Sequence, residues 1–237
     1  MDHAETDSSR PGSAGERPTI TVEIYSDVVC PWCYIGKRKF ENGLAQFRAE
    51  FGDDVEVDVT FRPFQLDPTA SPGRSGPVFD AYAKKFGGPE QAKEIIDRVT
   101  STAADAGIEF RMDRALRANT LLAHRLLWLS EQPDSPIPQE VMKERLLQAY
   151  FYDGIDIGDP DALADLAAAE GFDRDDVRSF FDSDRGNGEV AAELRGAAER
   201  GVTAVPTFVF NDAWAVPGAQ EPDTFARVLA KMAANAG

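Results

Sequence analysis

The segment Thr19-Ile20-Thr21-Val22-Glu23-Ile24-Tyr25-Ser26-Asp27-Val28-Val29-Cys30-Pro31-Trp32-Cys33-Tyr34-Ile35-Gly36 changes its hydrophobic period part-way along. Ile20, Val22 and Ile24 alternate with Thr21, Glu23 and Tyr25, which is the period of a strand with one buried face. From Pro31 the apolar residues fall at helical spacing: Ile35, Phe40, Leu44 and Phe47 form one stripe, and Gly52 marks a stop. Pro31 suits the first turn of that helix, where its missing N–H leaves no bond unmade. The strand therefore hands over to the helix at Cys30-Pro31-Trp32-Cys33.

Working outward, Val55, Val57, Val59 and Phe61 alternate with polar residues and predict a second strand that runs into Pro63. A Pro/Gly/Ser-rich stretch from Asp67 to Pro77 follows. Helix-like composition then runs from Val78 to Arg185, broken at Gly87-Gly88, at Pro133 to Pro138 and at Gly158-Asp159-Pro160, and it predicts four or five helices. Strand character returns at Thr207-Phe208-Val209-Phe210 and, after Asn211-Asp212, at Ala213-Trp214-Ala215-Val216, which reads as a tight hairpin. An amphipathic helix carrying Phe225, Val228, Leu229 and Met232 closes the chain. This order predicts an α/β fold in which a block of helices interrupts a mixed-sheet core. The expected limits are a disordered tail at 1–18, a core domain at 19–76 and 189–237, and an inserted helical domain at 77–188.

The 237 residues, 43% of them hydrophobic, suffice for one large domain or for a small core with an insertion. Charges of 25 − 41 give −16, which argues against a nucleic-acid partner because phosphate backbones are bound by clustered Lys and Arg. No stretch reaches the roughly 20 apolar residues of a membrane helix, and the start of the chain lacks the apolar centre of a signal peptide. The expectation is a cytoplasmic protein with no membrane partner, present as a monomer or homodimer. With 2 Cys close together there is no disulfide framework, and the pair becomes a candidate for chemistry.

Disulfide exchange needs a thiolate that attacks and a second thiol near enough to resolve the mixed disulfide. Cys30 at a helix start lies where unpaired N–H groups and the positive end of the dipole favour an anion. Cys33, one turn inside, is better shielded and suits the resolving role. A zinc half-site would need two further ligands; there is no second cysteine pair, and one of the 2 His, His3, lies in the expected tail, so no metal is expected. An inert buried pair is the remaining bland alternative. Trp32, between the cysteines, is expected to contact substrate or the helical block, whereas Phe64 and Trp214 are expected in the core. His124 lies in the apolar run Leu121 to Trp128, where a hydrogen-bonded packing role is the ordinary one.

The segment Ser26 to Gly36 closely resembles the active-site segment of DsbA-like thiol oxidoreductases of the FrnE subgroup. Phe61-Arg62-Pro63-Phe64-Gln65-Leu66, Asn119-Thr120 with Ala123-His124-Arg125, and Gly201-Val202-Thr203-Ala204-Val205-Pro206-Thr207-Phe208 resemble the same proteins. The resemblance implies a thioredoxin-like fold with an inserted all-helical domain, acting as a thiol-disulfide oxidoreductase or isomerase on protein or small-molecule disulfides. It implies a cis bond at Val205-Pro206 facing the cysteines, with the Val205 backbone free to pair with an extended substrate and Pro206 limiting metal capture. It also implies that Asn119, Thr120 and His124 face the cleft and bind substrate, and that Pro31 tunes the pair. No tightly bound cofactor is implied, although a low-molecular-weight thiol can serve as redox partner.

One position departs from the pattern. Thioredoxin carries a buried Asp, and DsbA a Glu, six residues before the first cysteine, where this chain has Ile24. Proton transfer at Cys33 must then use another group, with Asp27 and Glu23 as candidates; Asp27 is equally a loop or cap acceptor. Kappa-class glutathione transferases and 2-hydroxychromene-2-carboxylate isomerases, which use a thiol cofactor, resemble this architecture too, but they place Ser at the position of Cys30. A client-binding chaperone that does no chemistry is the third reading.

Overall fold

The computed structural model describes residues 17–52 and 54–236. The expected tail lies outside them as far as residue 16. Strand β1 (Thr19–Ser26) leads into helix α1 (Pro31–Phe51) and strand β2 (Glu56–Pro63), which pairs with β1 in parallel, Ile24 opposite Phe61. Such a parallel return requires a crossover, and α1 supplies it. After the helical segment, β5 (Thr207–Phe210) pairs antiparallel with the other edge of β1, and β6 (Trp214–Pro217) pairs antiparallel with β5, giving the order β2-β1-β5-β6. The hairpin turns on Asn211 and Asp212, at φ 48° and 55°. Two successive positive φ values match the right-handed twist of the strands, and Asn and Asp tolerate them best after glycine.

The alternating residues read as buried are buried. Ile20, Val22 and Ile24 pack with Phe40 and Phe47 of α1, with Phe208 and Phe210 of β5, and with Phe225, Leu229 and Met232 of α9 (Pro222–Ala236). The opposite face carries a smaller cluster, Tyr25 with Ala197 and Val202, and Ala197 belongs to α8 (Asn187–Glu199). Helices therefore cover both faces of the sheet, as an α/β core requires.

Between β2 and α8 the chain forms α2 (Val78–Phe86), α3 (Pro89–Asp105), α4 (Leu121–Ser130), α5 (Gln139–Gln148) with a π-helical continuation (Ala149–Asp153), α6 (Pro160–Ala169) and α7 (Arg174–Asp182). A two-residue ladder, β3 (Gly76–Pro77) with β4 (Leu116–Arg117), ties its start to the approach to α4. Six α-helices thus replace the expected four or five. The break between α6 and α7 lacks proline; it is made by Gly171, at φ 103°, and by Asp173, whose carboxylate caps α7 by accepting from Asp175 N and Asp176 N. The helices share one core centred on Leu126, Leu146, Phe151 and Leu163, which also takes in Val28, Tyr34 and Ile35 from the turn between β1 and α1. The helical segment and the cysteine turn are packed as one body, which fixes what faces the thiols.

Candidate active site

Cys30 is the N-cap of α1, in extended conformation at φ −89° and ψ 114°. Its N–H donates to Asp27 O at 3.3 Å, and its own carbonyl accepts from Cys33 N at 3.0 Å and from Tyr34 N at 3.3 Å. Both cysteines are free thiols and each is 3% exposed. The strand end and the helix start thus place the two sulfurs one turn apart, near enough for Cys33 to feel the charge of Cys30.

The loop before β5 closes the other side. The Cys30 thiol donates to Val205 O at 3.8 Å, and the Val205-Pro206 peptide bond is cis. Pro206 is buried against α1: a methyl group built on Gly36 would stand 2.9 Å from Pro206 Cγ. Only glycine lets the helix approach this closely. Gly218 N donates to Pro206 O at 2.8 Å and anchors the loop from β6.

Burial pushes Cys33 well above the ordinary thiol range, and its hydrogen bond to Cys30 and the charge of Cys30 add to this; the charge of Lys143 and a backbone hydrogen bond from Asp27 oppose it. Cys33 therefore stays protonated until something takes its proton.

Asp27 is fully buried, and its carboxyl group ties elements together as a hydrogen-bond acceptor. Its Oδ2 accepts from Leu66 N at 2.7 Å, and its Oδ1 lies 3.2 Å from His124 Nε2. The same Nε2 lies 3.0 Å from Phe64 O. Both neighbours are acceptors, so Nε2 carries the hydrogen and shares it between them. Glu23, the other candidate, is committed to Arg62 Nε at 2.8 Å and Arg200 NH1 at 2.9 Å.

Of the residues expected to face substrate, Trp32 is the exposed one, at 40%. Thr120 and His124 are buried, and Asn119 donates to Ala70 O at 2.7 Å while its Oδ1 accepts from Leu121 N. Asn119 thus fixes the entrance to α4, and Thr120 Oγ1 accepts from Gln65 Nε2 at 3.4 Å. These side chains hold α4 against the segment after β2 rather than reaching into open space. Trp214, expected in the core, is 48% exposed on the edge strand, with Lys231 Nζ 4.1 Å from its ring centre. Phe64 is partly buried beside Tyr25 and Val202, as expected.

Three side chains near the thiols were not singled out from sequence. Tyr82 of α2 and Tyr150 of the π-helical turn are both raised by burial first, and both feel the charge of Cys30. Lys143 of α5 is 1% exposed and feels Cys33, Asp27 and Cys30.

The comparisons with known proteins agree with this geometry. A family described as "DSBA-like thioredoxin domain" matches residues 21–230. The chain belongs to that family. This DSBA-like chain is 34% identical to a probable DsbA oxidoreductase of Streptomyces coelicolor, whose crystal structure superposes with a TM-score of 0.81 over 91% of this chain and 90% of that one. It is 29% identical to the uncharacterized protein YwbO of Bacillus subtilis (strain 168), over 89% of this chain and 96% of that one. A cytosolic disulfide reductase, DsbM of Pseudomonas aeruginosa, solved with GSH, shares the fold at 17% identity and a TM-score of 0.59, over 90% of this chain and 98% of that one.

Proposed function

We propose that this DSBA-like protein is a dithiol-disulfide oxidoreductase or isomerase of the FrnE type, working in the cytoplasm on protein or small-molecule disulfides. Cys30 attacks and Cys33 resolves. The observation that carries this reading is the placing of the pair: Cys30 occupies the helix N-cap against Val205 O, while Cys33 lies one turn into the helix, where burial raises its thiol. In the first step the Cys30 thiolate attacks one sulfur of a substrate disulfide, and the other sulfur leaves as a thiolate. Cys33 then attacks Cys30 Sγ, the Cys30–Cys33 disulfide forms and the substrate thiol departs.

The Val205 backbone and Pro206 align an extended substrate across the pair, Trp32 supplies an apolar contact beside it, and Pro31-Trp32 sets the potential. Asn119, Thr120 and His124 shape the cleft from behind by holding α4 and Asp27 in place. A low-molecular-weight thiol such as glutathione returns the pair to the dithiol, and cytosolic glutathione at roughly −220 to −320 mV would keep an oxidising pair mostly reduced.

The test is an insulin-type disulfide reduction assay on the two single variants. Cys30→Ser abolishes turnover, and Cys33→Ser accumulates a mixed disulfide visible by mass spectrometry. Full turnover by Cys30→Ser would remove the proposal. Protection of clients from aggregation by the doubly substituted protein, with no redox turnover in the parent, would favour a chaperone instead.

A further inference from the structure

When Cys33 resolves a mixed disulfide it must lose a proton inside a buried site. Ile24, six residues before Cys30 on β1, is 1% exposed and apolar, so it offers no proton acceptor. Both Glu23 oxygens are taken by arginines, and both Asp27 oxygens are hydrogen-bonded, to Leu66 N and His124 Nε2.

Helix α5 brings a different group. Gln139, in its first turn, accepts from Phe61 N at 2.8 Å and donates to Phe61 O at 3.1 Å, which clamps α5 onto β2. Residues four apart share a helix face, so Lys143 is carried over the same strand, with Nζ 5.5 Å from the Phe61 ring centre. The side chain is 1% exposed, and Nζ is buried without a hydrogen-bond partner. An unpaired buried amine is costly, and each such group in a native protein asks for a functional reason. The charged and titratable groups around it are Cys33 first, then Asp27 and Cys30 from the β1–α1 turn, and Lys37 from α1.

We propose that Lys143 is the proton acceptor for Cys33 in the resolving step and the proton donor in the reverse direction, so that the helical segment supplies the group missing at Ile24. This rests on the reading of Cys33 as the resolving thiol. Going forward, the neutral Lys143 amine takes the proton from the Cys33 thiol. The Cys33 thiolate forms a bond to Cys30 Sγ as the bond from Cys30 to the substrate sulfur breaks. The substrate sulfur leaves with the electron pair and takes a proton from water. In reverse, a substrate thiolate attacks Cys30 Sγ, Cys33 leaves as a thiolate, and the Lys143 ammonium protonates it. Burial lowers Lys143 to about 8, so the amine is available in its neutral, proton-accepting form near that pH; burial raises Cys33, so its proton passes to the amine only as the bond to Cys30 Sγ forms.

Dithiobis-nitrobenzoate mixed with the reduced full-length protein separates the two steps in a stopped-flow trace. The first coloured thiolate reports attack by Cys30, and the second reports resolution by Cys33. In Lys143→Met the ratio of second to first rate falls about tenfold at neutral pH, and the second rate recovers at alkaline pH, where Cys33 ionises unaided. An unchanged ratio and an unchanged pH profile overturn the proposal. A wild-type protein that releases no second thiolate overturns the resolving role of Cys33, and this inference with it. Nitrogen-15 NMR on the wild type gives an independent reading that needs no substitution. The titration midpoint of Lys143 Nζ falls when the cysteines join, since the sulfur charges that raise it disappear; an identical midpoint in both redox forms refutes the exchange.

Discussion

The Cys30 thiol and the Val205 carbonyl oxygen face each other at 3.8 Å although 175 positions separate them in the chain. Strand pairing produces this meeting. β1 ends at Ser26 and β5 begins at Thr207, and because the two are antiparallel with Tyr25 opposite Thr207, the end of one lies beside the start of the other. The turn leaving β1 and the loop entering β5 are therefore neighbours at one end of the two central strands.

Helix α1 crosses α9 at Gly43, and a methyl group there would stand 2.5 Å from Pro222 O and 2.7 Å from Phe225 Cβ. Neither atom can move cheaply, so Gly43→Ala destabilises by about 2 kcal/mol despite the better helix propensity of alanine. Gly196 in α8 has nothing within 4 Å of the same added atom. Gly196→Ala stabilises by roughly 0.5–1 kcal/mol. Urea denaturation of the pair checks both signs.

His124→Ala removes the donor shared by Asp27 Oδ1 and Phe64 O and strands a carboxylate that is fully buried. The expected loss is about 3 kcal/mol in chemical denaturation. A loss below about 0.5 kcal/mol, the range of surface substitutions, would contradict the shared-donor geometry.

These contacts show how far the sequence could be read. β1, α1, β2 and the hairpin were legible because Ile20, Val22 and Ile24, and later Thr207 to Val216, carry local periods that tertiary packing did not override. The Asp173 cap was a readable signal too, since an acidic N-cap after glycine marks a helix start without proline. Lys143 was not legible. Met142-Lys143-Glu144-Arg145 reads as part of an exposed charged face, and only the clamp of Gln139 on Phe61 turns Lys143 inward. Trp214 failed for the converse reason: large aromatics usually mark the core, but β6 is an edge strand and the ring is covered by a lysine instead.

Lys143 also gives a pH signature in stability. Its pKa falls from 10.5 unfolded to about 8 folded, so between those values the unfolded chain binds more protons and stability rises with pH. The fall bounds the gain at about 3 kcal/mol. Cys33, raised in the fold, works the opposite way once pH passes its ordinary 9.0. Lys143→Met is therefore more stable than wild type below about pH 8, and its advantage shrinks as pH climbs toward 10.5. Denaturation midpoints of the two proteins across that window check the sign, and a constant difference would contradict it.

Trp32 is exposed beside two buried sulfurs, so Trp32→Ala changes stability by less than about 0.5 kcal/mol. It lowers kcat/KM on a peptide disulfide by roughly tenfold, about 1.4 kcal/mol of lost contact with the bound chain. Unchanged kcat/KM would place the substrate elsewhere.

The most direct test of the central claim is the redox state of Cys30 and Cys33 in graded mixtures of reduced and oxidised glutathione, read by mass spectrometry after acid quenching and alkylation. The account predicts a single reversible transition in which the two thiols join and part together, with the same midpoint approached from either side. Two cysteines that stay alkylatable across the whole series would contradict it.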